Sequence, residues 1–237
     1  MILDSFLNVS RKIITPQFWD EISVFNRIIL SVSGGIDSTF LFLAFQAKGI
    51  PFECIWNNTG RELRTSLFTL SKIFSYGNLF TITYPETSQK LITKKTRIAL
   101  KRINQGEISK NKKNIPCCYY LKEKPFNQWI KYNTDLMDVL VSGLAPYEGM
   151  QRNIRLGELR NRKTYLRFIK ASKRWFAYPL RDLNFQADRK YLEAYVNQYI
   201  PTSRSGCITC PIIALWEDLL IEHDEKRLRQ SLKAYKI

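Results

Sequence analysis

Residues 33–38 read SGGIDS and combine the side chains and the backbone freedom that phosphate binding needs. Gly34 and Gly35 permit positive φ angles and let the backbone approach a ligand closely. Successive amide groups of such a turn point into a concave site that binds anions. A helix that begins near Asp37 or Ser38 would add the positive end of its dipole. The pattern therefore predicts a phosphate-binding loop.

The polar side chains of this loop favour a phosphate that is accompanied by a cation. Ser33, Ser38 and Thr39 offer hydroxyl groups to phosphate oxygens. Asp37 is unfavourable beside a phosphate unless a cation lies between them, so bound Mg²⁺ is expected. A plainer interpretation is a tight turn capped by Asp37 or Ser38. That interpretation accounts for one polar residue and one glycine, but not for the whole run.

Four of the five cysteines form two close pairs, the adjacent Cys117 and Cys118 and the C-x-x-C pair of Cys207 and Cys210. Four thiolates suit a [4Fe–4S] cluster, and adjacent cysteines can serve different irons of it. Zinc is the alternative, although adjacent zinc ligands are less usual. Buried thiols without a metal are the third interpretation. Cys54 falls in a predicted buried strand and is expected to be a core residue.

Strand and helix signals alternate along the chain and position these residues. Short apolar runs predict strands at 27–32, 51–57, 79–84 and 138–143. Helices are expected between and after them, and the first two end near Gly49 and Gly77. The alternation predicts an α/β fold with a doubly wound, mostly parallel sheet, helices on both faces and a C-terminal helical extension.

Three segments are expected along the chain: an N-terminal helical segment at 1–26, an α/β domain at 27–211 and a basic helix at 212–237. The phosphate ligand should lie outside the carboxyl ends of the strands. The apolar runs are too short to cross a bilayer, and the N-terminus lacks the pattern of a secretory signal. A cytoplasmic protein without a membrane partner is therefore expected.

The chain carries 37 Lys and Arg residues against 21 Asp and Glu, a formal net charge of +16. Such a field attracts polyanions, although a solubility role would give the same balance. The basic residues concentrate at 94–113 and 152–175. The second stretch interleaves them with Tyr165, Phe168 and Trp175, which suits phosphate contacts and base stacking. It could equally be a strand with a solvated face.

The SGGIDS segment resembles the PP-loop of the ATP pyrophosphatase superfamily, whose fold is the adenine nucleotide alpha hydrolase-like fold. The sequence WNNTGREL at 56–63 resembles the second-strand motif of that superfamily, with Asn58 where an acidic residue is common. This resemblance implies that Asn58, Thr59 and Gly60 line the nucleotide pocket.

Two further segments resemble the phosphoadenosine-phosphosulfate (PAPS) reductase branch of this superfamily. Residues 143–156 are similar to a segment of that branch in which Glu and Arg stand four residues apart, here Glu148 and Arg152. The resemblance implies that Arg152 contacts a phosphate or sulfate. It also implies that Arg152 takes part in catalysis together with Asp37. PCCYYLKEKPF and GCITCP match the cysteine pattern of members that carry a [4Fe–4S] cluster. Lys122 is expected near that cluster or the anion, or else in solvent.

The resemblance implies an enzyme that binds ATP and Mg²⁺, and it leaves three functions open. The first is adenylation of a substrate, with release of AMP and pyrophosphate, in support of sulfur transfer to a nucleic acid from a sulfur donor protein. The second is reduction of adenylyl-sulfate or phosphoadenylyl-sulfate. Reductases of this branch attack sulfur with a cysteine in a C-terminal tail, and the sequence has none after Cys210. The third is non-catalytic binding of a nucleotide or nucleic acid. His223 is expected at the surface.

Overall fold

The structure is a computed structural model that describes residues 2–109, 115–148, 150–183, 186–202 and 233. Cys207, Cys210 and His223 lie outside the described residues, as does the side chain of Glu148. The predicted helix at 212–237 also lies outside them, apart from Lys233.

The described residues contain one six-stranded sheet with the order β3-β2-β1-β4-β6-β5. Its strands are β1 Arg27–Val32, β2 Glu53–Asn57, β3 Phe80–Thr83, β4 Asp138–Ser142, β5 Leu166–Ile169 and β6 Arg174–Ala177. β1 pairs in parallel with β2 and with β4, and β4 pairs in parallel with β6. β5 is antiparallel to β6. The predicted α/β fold with a mostly parallel sheet is confirmed.

Helices connect these strands, as the alternation predicts. They are α1 Ile2–Ile13, α2 Pro16–Ile22, α3 Ile36–Lys48, α4 Arg64–Phe74, α5 Gln89–Asn104, α6 Pro116–Cys118, α7 Lys124–Asn133, α8 Met150–Asn161 and α9 Gln186–Val196. A π-helical turn follows α6 at Tyr119–Glu123, and a 3₁₀ turn precedes α8 at Pro146–Glu148. α3 ends at Gly49, whose φ of +70° is the left-handed conformation that favours glycine after a helix.

The β5–β6 hairpin is not among the strands that the sequence predicts. Each of its strands is four residues long, and charged residues break up the apolar alternation that marks a longer strand. Tyr165, just before β5, is 1% exposed and belongs to the hydrophobic core. Its predicted availability for base stacking is therefore wrong.

The chain divides into two compact units. The first contains the described residues of 1–56, 64–81 and 131–205, and the second those of 57–63 and 82–130. α1 and α2 lie in the range predicted as an N-terminal helical segment, and the predicted boundaries stay predictions. None of the helices in the described ranges combines the length and the apolar composition that crossing a membrane requires.

The core of the first unit forms around α3, whose residues from Phe40 to Phe45 are all fully buried. Aromatic rings from the first two helices pack on it: the ring centroids of Phe6 and Phe40 are 5.5 Å apart, and those of Phe18 and Phe45 are 6.1 Å apart. Burial of a large apolar side chain contributes about 1.5–3 kcal/mol. The helix that follows the glycine loop is therefore held firmly against the rest of the unit.

The sheet order places a crevice beside the end of β1. The chain runs from β1 to β2 on one side of it, and β4 lies on the other side, with Ser31 in register with Ser142. In open α/β sheets, ligands bind outside the carboxyl ends of the strands where the strand order reverses in this way. The loops after β1 and β4 both begin at this point.

Candidate functional site

The loop after β1 is shaped by a close contact with the backbone of α4. Gly34 has a φ of +72°, and a Cβ atom there would lie 2.5 Å from the backbone oxygen of Ser66. Both the conformation and the space therefore require glycine. Gly35 caps α3 with an extended backbone and no side-chain hydrogen bond, so α3 begins at Ile36. The interpretation as a turn capped by Asp37 or Ser38 is therefore wrong.

Hydrogen bonds between the loop's own groups fix its conformation. The Ser38 hydroxyl accepts a bond of 3.1 Å from the Ser33 N–H and donates one of 3.1 Å to the Gly35 carbonyl. Thr39 Oγ1 donates to the same carbonyl at 2.8 Å, and Thr39 is 0% exposed. The predicted contact between Thr39 and a phosphate is therefore wrong, because its hydroxyl lies inside the loop. Ser33, in contrast, is exposed.

The loop after β4 lies directly against the loop after β1. A Cβ atom on Gly143 would lie 3.1 Å from both the Asp37 carbonyl carbon and the Ser38 amide nitrogen. Any side chain at this position would push the two loops apart. Gly143 thus brings the start of the segment at 143–156 to the first turn of α3.

Asp37 lies at the centre of a cluster of polar side chains in the first unit. The Tyr147 hydroxyl donates a hydrogen bond to Asp37 Oδ1. Burial raises the pKa of Asp37, while the Tyr147 hydroxyl, Arg189 and Arg152 each act in the opposite direction. Burial also lowers the pKa of Arg152, an effect that Asp37 opposes. The Asp37 carboxylate of this cluster could bind a cation, and the guanidinium groups of Arg152 and Arg189 could bind an anion.

Three residues of this site are missing from the sequence-based prediction. Tyr147 lies within the segment that resembles the family, but nothing in its spacing marks it. Arg189 is on α9 and belongs to no motif. Ser66 is 1% exposed, and its hydroxyl has no hydrogen-bond partner in the described part of the chain. Only the fold brings Tyr147 and Arg189 near Asp37, and Ser66 near Gly34.

The loop at Asn58–Gly60, in the second unit, is closed by its own side chains. Glu62 Oε1 accepts from the Thr59 N–H and from Thr59 Oγ1, both at 2.7 Å. Asn58 Oδ1 accepts from the Gly60 N–H at 2.8 Å, which forms an Asx turn, and Gly60 has a φ of +69°. Asn58, Thr59 and Gly60 therefore form an ordered turn, and their predicted contact with a nucleotide stays a prediction.

Cys117 and Cys118 lie together on α6 in the second unit. Cys117 is 4% exposed and packs in a cluster with Leu100 and Leu121, whereas Cys118 is half-buried. Consecutive helical side chains diverge by about 100°, so the two thiols can reach different corners of one cluster. Among the described residues no three metal-ligating side chains come together. Cys117 and Cys118 are the two described cysteines of the predicted four, and the predicted cluster stays a prediction.

Cys54 and Lys122 are the remaining candidates. Cys54 is 0% exposed, and burial raises the pKa of its thiol to about 12, so it is a core residue as expected. The Lys122 side chain is exposed, and its backbone carbonyl accepts a hydrogen bond from Asn57. Its predicted place near a cluster or an anion stays a prediction.

A parallel sheet with a glycine loop at its reversal point is the architecture of the nucleotide-binding α/β proteins. No protein-family model matches the chain, and no curated protein matches its sequence at a significant level. In structure the chain is similar to the phosphoadenylyl-sulfate (PAPS) reductase from Candida auris, solved as a phosphate complex. The TM-score is 0.54 at 13% sequence identity, over 84% of this chain and 87% of that chain. The chain therefore has a PAPS reductase-like fold.

Proposed function

We propose that this protein is a PP-loop enzyme that binds ATP, transfers its adenylyl group to a nucleic acid and supports sulfur transfer to the activated position. The observation that carries the proposal is the packing of Gly34 and Gly143, which sets the loop at the carboxyl ends of β1 and β4. Phosphate groups are the ligands that such a loop recognises at the start of a helix. The PAPS reductase-like fold supports the choice of a nucleotide.

Several positive groups converge where the phosphates would lie. The amides of the loop and the N-terminus of α3 contribute partial charges. Arg152 and Arg189 contribute full charges, since both act on the pKa of Asp37. The guanidinium groups would hold the α-phosphate and the departing pyrophosphate, because their planar forks match phosphate oxygens.

Asp37 fits the single carboxylate through which proteins commonly bind Mg²⁺ together with a nucleotide. Burial raises its pKa, so its charged form is unfavourable until a cation approaches. Mg²⁺ bound there would neutralise charge that develops on the phosphates. Tyr147, which donates to Oδ1, would orient the carboxylate for that role.

The adenylation step balances without a redox partner. An oxygen of the acceptor attacks the α-phosphorus of ATP, the bond from this phosphorus to the bridging oxygen breaks, and pyrophosphate leaves with the electron pair. AMP leaves in turn when a sulfur nucleophile from a donor protein replaces the activated oxygen. Cys54 cannot act as that nucleophile, because its thiol is buried and burial raises its pKa to about 12.

The adenylation proposal is tested by the products of ATP turnover with Mg²⁺ and nucleic acid. AMP and pyrophosphate are expected, and ADP with free phosphate would contradict the proposal. Asp37→Asn should lower the rate by about 100-fold or more, while Asp20→Asn, which removes an exposed carboxylate, is the matched control. Nucleic-acid binding without any turnover would favour the non-catalytic function instead.

Cys117 and Cys118 fit one half of a four-thiolate set, because they are adjacent and diverge on one helical turn. Cys207 and Cys210 would provide the other half. A [4Fe–4S] cluster held by these residues would supply a site for sulfur binding or electron transfer, and zinc would serve only a structural role.

The metal proposal is tested by iron, sulfide and zinc contents after purification without oxygen. Iron and sulfide near stoichiometry are expected, with loss of both in Cys117→Ala and in Cys207→Ala. Cys54→Ala should retain them and is the matched control. Zinc, or no metal, in the anaerobic preparation would contradict the cluster.

Reduction of a sulfonucleotide is the second candidate, and the similarity to the PAPS reductase of Candida auris favours it. It requires a thiolate that attacks sulfur, and Cys54 does not provide one. Release of sulfite from phosphoadenylyl-sulfate with a thiol donor would establish this function. No sulfite above background, together with AMP formation from ATP, would leave adenylation as the activity.

A further inference from the structure

A cavity in the first unit lies beside β5, the edge strand of the sheet. Its volume is about 970 Å³. It is lined by α8, by the β5–β6 hairpin and by the turns next to them: Arg155, Glu158, Leu159, Arg162, Thr164, Leu166, Arg167, Phe168, Ile169, Lys170, Trp175 and Tyr178. We call this cavity the α8–hairpin groove. Nothing in the proposed adenylation chemistry uses it.

The α8–hairpin groove is strongly basic. Its described lining holds four cations, Arg155, Arg162, Arg167 and Lys170, against a single carboxylate, Glu158. Arg155 and Arg167 both line the groove with Tyr178, and each opposes the burial that raises the pKa of that tyrosine. Glu158 offsets only one of the four positive charges, so the lining attracts anions.

One buried guanidinium nitrogen of the groove has no hydrogen-bond partner among the described residues. Arg167 Nη2 pairs with Glu158 Oε2 at 3.4 Å. Arg167 Nη1 is buried and makes no hydrogen bond within the described part of the chain. A buried N–H without an acceptor is unfavourable, and more so when the group is charged. An anionic oxygen bound in the groove would satisfy it.

The groove also offers an aromatic surface. Phe168 lies on β5, the edge strand of the sheet, and is 38% exposed. Its ring centroid is 5.2 Å from that of Trp175 on the neighbouring strand, which holds the Phe168 ring in place. An exposed, supported ring beside a row of cations is the arrangement that binds single-stranded nucleic acid, with bases stacked and phosphates paired.

We propose that the α8–hairpin groove binds a single-stranded nucleic acid, with Arg155, Arg162 and Arg167 on its phosphates and Phe168 against a base. Arg155 lies on α8 and Arg162 directly follows the end of this helix, seven residues further on. This spacing corresponds to a helical rise of about 10 Å, so the two side chains would contact different phosphates of one strand. The proposal that the groove binds a nucleic-acid strand depends only on the residues of the groove. Its role as the acceptor of the adenylyl group rests on the proposed function.

The test is fluorescence anisotropy of short labelled single strands of RNA and DNA, at several salt concentrations and without ATP. The variant Arg155→Gln with Arg162→Gln should weaken binding about tenfold or more and lower the salt dependence by about 0.7 in slope for each lost phosphate contact. The matched control is Arg11→Gln with Lys12→Gln, which removes two exposed charges from α1 and should bind as the wild type.

A second variant, Phe168→Ala, separates stacking from charge. It should weaken binding several-fold and leave the salt slope unchanged, because it removes no phosphate contact. Unchanged affinity in the double arginine variant, an equal loss in the α1 control, or equal affinity for the matched duplex would overturn the proposal. The readout requires no AMP formation, so failure of this proposal and failure of adenylation are distinguishable.

Discussion

Two loops of this chain contain similar residues, and the fold uses them differently. Each has a glycine with positive φ followed closely by a carboxylate: Gly34 before Asp37, and Gly60 before Glu62. In the Gly60 loop, Glu62 accepts hydrogen bonds from the loop's own groups. In the Gly34 loop, the Asp37 carboxylate is half-buried, and its pKa is raised.

The difference distinguishes a carboxylate that is bonded to its own loop from one that is bonded to a distant residue, Tyr147. Glu62 accepts three hydrogen bonds from its own turn, so its charge is compensated locally. The Asp37 loop retains a charge that the fold does not fully compensate, and such uncompensated groups concentrate at functional sites. A glycine close to a carboxylate in the sequence therefore does not distinguish these two kinds of loop.

The largest expected effect comes from Gly34→Ala. An alanine at this position must adopt a positive φ, and its Cβ atom would lie 2.5 Å from the Ser66 backbone oxygen. Because both effects are unfavourable, we expect a loss of about 3 kcal/mol or more in the free energy of unfolding. Urea denaturation measures it. Gly60→Ala is the matched control, with an expected loss of about 1 kcal/mol, because its Cβ would meet only the end of the Gln89 side chain. Equal losses in the two variants would contradict this account.

Gly143→Ala should have the next largest effect. Its Cβ would lie 3.1 Å from backbone atoms of Asp37 and Ser38, so the loops must separate slightly, at a cost of about 1–2 kcal/mol. Nucleotide binding should weaken by more than this stability loss explains, since the first turn of α3 moves with the loop. Isothermal titration calorimetry alongside urea denaturation checks this. Unchanged nucleotide affinity would show that the contact serves the fold alone.

Glu62→Gln should destabilise the protein by about 1–2 kcal/mol. Glu62 Oε1 accepts two bonds from Thr59, and Oε2 accepts one of 3.0 Å from the Arg61 N–H. Glutamine has one oxygen and an NH₂ group, so at least one of these donors loses its acceptor. Urea denaturation gives the size of the loss, and Glu21→Gln, which also removes a carboxylate bonded to the backbone, calibrates it. No loss would mean that the turn does not depend on the carboxylate.

Asp37→Asn should have the smallest effect on stability, and of the opposite sign. Because burial raises the pKa of Asp37, the folded chain binds its proton more tightly than the unfolded chain, and stability falls as pH rises through the folded pKa. The variant should therefore melt at a higher temperature than the wild type at neutral pH, and the gap should close below the ordinary pKa of aspartate. Thermal melts across this pH range measure it. A lower melting temperature at neutral pH would contradict the prediction.

Local signals in the sequence predict much of the fold. β1, α3 and the helix end at Gly49 follow from an apolar run, a glycine loop and a terminal glycine, each within a few residues. The β5–β6 hairpin does not, because its pairing of Phe168 with Trp175 crosses a turn between short basic strands. Short strands of this kind carry little periodic signal.

The sequence predicts only the part of the candidate site that lies within the single segment 33–38. Ser33 to Ser38 stand out because their residue types are unusual between two apolar runs. Tyr147 lies in the 3₁₀ turn before α8 and Arg189 lies on α9, and both act on Asp37. Their spacing in the sequence does not predict these contacts. The start of α3 differs by one residue from expectation because Gly35, and not a polar side chain, occupies the capping position.

The pairing of β1 with β4 has a consequence for how the protein is made. Ile29 pairs with Leu140, whereas β1 meets β2 after a much shorter stretch of chain. Contacts between distant segments form late, because a long loop must close first. During synthesis, the glycine loop at 33–38 therefore leaves the ribosome well before Gly143, Tyr147 and Arg189. We expect the growing chain to acquire nucleotide affinity only once α9 has emerged.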